Sequence, residues 1–109
     1  MPSETRYPPI VEGRLSAIVE LCRRFGVQRL DLFGSAAIGR FDPQCSDLDF
    51  LVAFEELPKG AYTTRYFDFR EGLERLFDRK VDLLTEPGLK NPYLRRQIES
   101  EKRSIYRAR

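Results

Sequence analysis

Three aspartates in this chain sit where acidic side chains are uncommon. Asp47 and Asp49 stand two apart in Ser46-Asp47-Leu48-Asp49, ahead of an apolar run. Asp82 sits in a similar setting, between Val81 and Leu83. Read as a strand, residues 47–54 alternate. Leu48, Phe50, Val52 and Phe54 face one side, and Asp47 and Asp49 face the other. Asp is depleted in strands, and carboxylates side by side repel unless a cation lies between them. Mg²⁺ fits, because hard cations take oxygen ligands. If the strands carrying Asp49 and Asp82 pair, three carboxylates share one face. Around two Mg²⁺ ions they suit an in-line displacement at a phosphate. Two would bind metal and hold the triphosphate, and the third would orient or deprotonate the attacking hydroxyl. The plainer alternative is a turn residue, Asp47, and two half-exposed strand positions.

Upstream, Gly34-Ser35 follows another apolar run. Ser35 could cap a short helix there, leaving N–H groups for an anion. Its hydroxyl and backbone N–H could also meet the β- and γ-phosphates. Alone, such a turn is an ordinary strand-to-helix corner. Its nearness to the aspartates gives it weight.

The elements that must position these residues are legible in outline. Val11, Leu15, Ile18, Cys22 and Phe25 recur at helical spacing and predict a helix over 11–25, closed by Gly26. Residues 27–33 read as a first strand, 47–54 as a second and 80–85 as a third. Tyr62, Tyr66, Phe69, Leu73, Leu76 and Phe77 form a second helical stripe ending near Asp78. Asn91-Pro92 reads as N-cap and first residue of a last helix to about residue 102, and Ser104 to Tyr106 as a short edge strand. Alternating helices and strands predict an α+β (α/β) fold, a sheet with helices mainly on one side. Strand order does not follow from the sequence.

At 109 residues the chain is expected to form a single domain over 1–109. No apolar stretch reaches the length of a membrane span, and the first residues lack a signal-peptide core, so the chain reads as cytoplasmic. Two cysteines are too few for a disulfide framework. Cys22 falls on a helix stripe as core, and Cys45 has no assigned role. The absence of histidine excludes His-based triads, His general bases and most zinc sites. The net charge of +2 is uneven. Residues 1–89 carry 12 Lys and Arg against 15 Asp and Glu, and residues 90–109 carry 7 against 2. That basic end could meet an acidic partner, or be the solvated face of a terminal helix, the reading also given to Arg95 and Arg96. Direct nucleic-acid binding is not expected. Tyr62 and Tyr66 could stack on a base, but helical spacing favours core.

Together, Gly34-Ser35, Gly39, Ser46-Asp47-Leu48-Asp49 and Asp82 resemble the polymerase-β-type nucleotidyltransferase superfamily. Phe41-Asp42-Pro43, Val81-Asp82-Leu83 and Lys90-Asn91-Pro92-Tyr93-Leu94 are similar to its minimal nucleotidyltransferases, antitoxins often encoded beside a HEPN-domain toxin. The resemblance spans almost the whole chain and implies the minimal nucleotidyltransferase core, a small mixed β-sheet backed by helices. It implies metal binding and catalysis by Asp47, Asp49 and Asp82, and nucleotide binding by Gly34, Ser35 and Ser46. AMP would pass from ATP to a hydroxyl, expected to be a tyrosine of the HEPN partner. One position departs from the usual Gly-Ser-x-Ala-Arg-Gly, because Ile38 stands where the arginine is expected. Arg40 either compensates, joining the nucleotide site, or is an ordinary loop residue. Ile38 thus keeps open an antitoxin that acts by binding alone, while the complete aspartate set favours an enzyme. Transfer to a small molecule is disfavoured, because so short a chain has no acceptor-binding module.

Overall fold

The computed structural model describes residues 9–38, 47–58, 60–85 and 90–108. Four strands form a mixed sheet in the order β3-β2-β1-β4, with β1 Val27–Phe33, β2 Leu48–Phe54, β3 Val81–Thr85 and β4 Arg103–Arg107. β1 runs antiparallel to both neighbours, and β2 and β3 run parallel. A parallel pair cannot be joined by a tight turn, and the 16-residue helix α3, Tyr62–Phe77, makes the crossover. Two short helices, α1 Pro9–Glu12 and α2 Leu15–Arg24, precede β1, and α4 Pro92–Glu101 precedes β4.

The main core lies between one sheet face and α1, α2 and α3. Ile18 and Cys22 from α2 meet Phe69, Leu73 and Phe77 from α3 over Leu30, Leu32, Phe50 and Val81. Burial pushes the Cys22 thiol up from 9.0 to about 12, so it stays protonated and behaves as a small apolar group. The opposite face holds a smaller cluster of Phe33, Leu51 and Ile98, with Leu84 packed against it. Ile98 is the buried residue of α4. Helices therefore cover mainly one face, and α4 covers part of the other.

The expected helix over 11–25 is two helices. Arg14 lies off helical geometry at φ −123° and ψ 14°. Its Nε donates to the Leu76 carbonyl at 3.0 Å, Nη1 donates to the Ile10 carbonyl at 3.2 Å, and its guanidinium stands 5.9 Å from the Phe77 ring centroid. Gly13, a poor helix former, precedes it and yields the bend. Gly26, at φ +66°, turns the chain out of α2 as expected. A side chain there would crowd Arg65, whose Nη1 donates to the Phe25 carbonyl at 2.7 Å.

α4 starts as its sequence predicts. The Asn91 Oδ1 accepts from the Tyr93 and Leu94 N–H groups at 2.9 and 3.4 Å, with Pro92 in the first helical position. α3 ends at Asp78, which takes the left-handed conformation at φ 53°.

Candidate active site

β2 begins at Leu48, so Asp47 lies just before the strand, exposed, instead of opening it. Strand register then aligns the remaining site residues. Phe33 pairs with Asp49, and Asp49 pairs with Asp82. The row runs across three adjacent strands, about 4.8 Å apart. Leu48, Phe50, Val81 and Leu83 point into the main core, so Asp49 and Asp82 emerge on the face covered partly by α4.

Asp49 is half-buried and Asp82 exposed. The Asp49 carboxyl is pushed up from 3.8 to about 6, first by burial, then by the Asp82 charge and a hydrogen bond with Asp82, and last by the Asp47 charge. Three acidic groups thus bear on one point. Among the described residues no three acidic, His or Cys side chains close into a complete metal site. Mg²⁺ does not require one. It commonly takes one or two carboxylates, keeps several waters and completes its shell with substrate phosphate. Asp49 and Asp82, with Asp47 beside them, fit that demand.

Directly after Phe33 the chain makes a three-residue 3₁₀ turn, Gly34–Ala36. Phe33 occupies its cap position and makes no side-chain cap bond. The expected capping by Ser35 is therefore not found, because Ser35 lies inside the turn. The Gly34 carbonyl accepts from the Ala37 and Ile38 N–H groups at 3.0 and 3.3 Å. Gly34 has φ +76°, and a Cβ there would collide with the Asp49 carboxylate. Glycine thus serves two needs at once, a left-handed backbone and contact with Asp49. The Gly34 turn and the Asp49 carboxylate are therefore packed directly against each other.

Residues 16–105 match the family profile described as a nucleotidyltransferase domain. The chain belongs to the nucleotidyltransferase family. A relative from Methanocaldococcus jannaschii that bears the name protein adenylyltransferase is 34% identical over 95 residues, covering 80% of this chain and 93% of that one. A solved minimal nucleotidyltransferase superposes with a TM-score of 0.70 at 38% identity, over 85% of this chain and 90% of that one. The fold also matches a chain in the complex of a tri-AMPylated Shewanella oneidensis HEPN toxin with its MNT antitoxin, at a TM-score of 0.62 and 19% identity, over 89% and 72% of the two chains.

In this nucleotidyltransferase Arg40, Cys45 and Ser46 lie outside the described residues. Ile38 is 44% exposed at the end of the turn. Three features escape sequence reading. Asp31, which alternation places opposite the main core, is 1% exposed there, with the Arg29 Nε 3.8 Å from its carboxylate. Arg103, at the start of β4, donates from Nε to the Ala37 carbonyl at 3.3 Å. Alternation puts Arg29 and Asp31 on one face but does not show how deeply Asp31 is buried, and the Arg103 contact joins residues 66 apart. The third is a cavity of about 380 Å³ beside β3, lined by Tyr62, Tyr66, Phe67, Leu84 and Thr85 among others. Tyr66 packs against the core as predicted, and its hydroxyl donates to the Leu83 carbonyl. Its phenol is raised chiefly by burial, with the Asp82 charge contributing in the same direction and Arg70 opposing. Tyr62 departs from the core expectation. It is 39% exposed and meets Phe54 edge-to-face. No helix among the described residues is long and apolar enough to cross a membrane.

Proposed function

We propose that this nucleotidyltransferase carries AMP from ATP to a hydroxyl, a tyrosine, of a HEPN-type toxin, and so acts as its antitoxin. The observation that carries the reading is the pairing of Asp49 with Asp82 beside the Gly34 turn. Support comes from the relative named as a protein adenylyltransferase and from the fold shared with an antitoxin bound to an AMP-carrying toxin. The chain acts as one domain in the cytoplasm.

Asp47, Asp49 and Asp82 would hold Mg²⁺, two ions in the full site. Bound Mg²⁺ supplies charge neutralisation on the phosphates and on the developing alkoxide. Gly34 and Ser35 hold the polyphosphate by backbone N–H and hydroxyl, with Ser46 adding a hydroxyl. Asp82, exposed on an edge strand, meets a hydroxyl arriving on a separate protein. It orients that hydroxyl and takes its proton. The acceptor oxygen bonds to the α-phosphorus as the bond to pyrophosphate breaks.

The test is the intact mass of the HEPN partner after incubation with this chain, ATP and Mg²⁺. AMP-sized increments that disappear with Asp82→Asn and Asp47→Asn support transfer. A partner that stays unmodified in a tight complex sinks it. The uncharged, exposed Ile38 in the turn favours that second reading, an antitoxin acting by contact alone.

A further inference from the structure

The turn after β1 carries no charge over its described residues, Gly34-Ser35-Ala36-Ala37-Ile38. Backbone N–H groups and one hydroxyl can cradle a phosphate. The far end of a triphosphate remains anionic and calls for a cation. Ile38 offers none.

β4 delivers one. Arg103 opens β4 and pairs with Leu32, just before the turn. Its Nε donates to the Ala37 carbonyl, a bond that spans 66 residues of sequence and sets the guanidinium at the end of the turn. A guanidinium has five N–H donors, so using Nε leaves four on its terminal nitrogens, in the fork that suits phosphate.

Sheet order gives this placement a direction. β4 flanks β1 on one side, and β2 and β3 lie on the other. In strand order Asp82 and Asp49 come first, then the Gly34 turn, then Arg103, whose pairing with Leu32 starts it on the main-core side of the sheet and whose bond to the Ala37 carbonyl brings it to the end of the turn. An in-line displacement puts the entering and leaving groups on opposite sides of phosphorus. With the acceptor at Asp82, the leaving pyrophosphate points across the turn toward β4.

We propose that Arg103 is the polyphosphate-binding cation of this site, gripping the β- and γ-phosphates and the pyrophosphate that departs. The inference rests on the nucleotide reading above and adds the group that recognises the discarded half of the substrate. It also accounts for a chain that does without a cation at position 38.

Calorimetric titration of the full chain with Mg²⁺ and ATP, pyrophosphate or AMP tests this. Arg103→Ala should weaken ATP and pyrophosphate about tenfold or more and leave AMP unchanged. Arg103→Lys should recover part of the loss. Ile38→Arg, added to Arg103→Ala, should restore ATP binding by putting a cation on the turn itself. Equal losses for ATP and AMP without rescue by Ile38→Arg would mean that Arg103 only braces the turn. ATP binding unaltered by Arg103→Ala would also overturn the proposal and leave the nucleotide reading standing. A wild-type chain that binds none of the three ligands would remove both.

Discussion

Asp49 shows at the scale of one residue how the site costs stability. Well below pH 3.8 its carboxyl is protonated in the folded and unfolded chain alike. Between the unfolded value of 3.8 and the folded value of about 6 the unfolded chain ionises while the folded one holds its proton. Metal-free stability therefore falls across that window and stays reduced above it. A shift of this size corresponds to about 3 kcal/mol at full weight, and the half-exposed position cuts it to about 1–2 kcal/mol. Asp49→Asn should raise the melting temperature of the metal-free protein by about 5 °C at pH 7. At pH 4 it should change little, and transfer should be lost throughout. Thermal unfolding at the two pH values reads this directly, and equal gains at both would refute the electrostatic origin. Gly34→Ala acts on the same carboxylate from the other side. It strains a backbone at φ +76° and displaces Asp49, so transfer should drop about 100-fold while the fold survives, seen as a native circular dichroism spectrum with lost activity.

Elements show why some parts of the structure were legible and others were not. The start of α4 was legible to the residue, because it rests on Asn91 and Pro92, neighbours in sequence. β1, β2 and β3 were legible because period-two alternation needs only local reading. The break between α1 and α2 was not, since Arg14 is held by Leu76, on an element 62 residues away. Asp31 reads as an ordinary polar strand position until its burial is known. The carboxylate set was visible as residue types. Its geometry required the parallel register of β2 and β3, which no local pattern encodes. The local nature of the α4 cap makes it separable from the chemistry. Asn91→Ala should lower stability by about 1 kcal/mol in chemical denaturation and leave nucleotide affinity within twofold.

A four-stranded sheet in so small a molecule has two edges, and each must avoid pairing with another chain. β4 carries Arg103 and Arg107, exposed basic residues of the kind that discourage strand addition. β3 is handled differently. The Glu74 Oε2 accepts from the Val81 N–H at 3.1 Å, and the Tyr66 hydroxyl donates to the Leu83 carbonyl. Two side chains of α3 thus occupy backbone groups of the strand that carries Asp82. The crossover helix holds two backbone groups of the edge strand and packs into the main core in one arrangement. Glu74 is also within 3.5 Å of Arg70, one turn earlier on α3. Glu74→Ala should leave the Val81 N–H without its acceptor, at a cost of about 1–2 kcal/mol. Amide hydrogen exchange at Val81 should then speed up about tenfold or more, with Leu30 and Leu32 in the central strand β1 changing less. Sedimentation should show concentration-dependent self-association absent from the wild type, because an unblocked β3 offers its backbone to a second copy. An equal rise in exchange over the whole sheet, with no association, would mean that Glu74 contributes general stability and that β3 is guarded by Tyr66 alone.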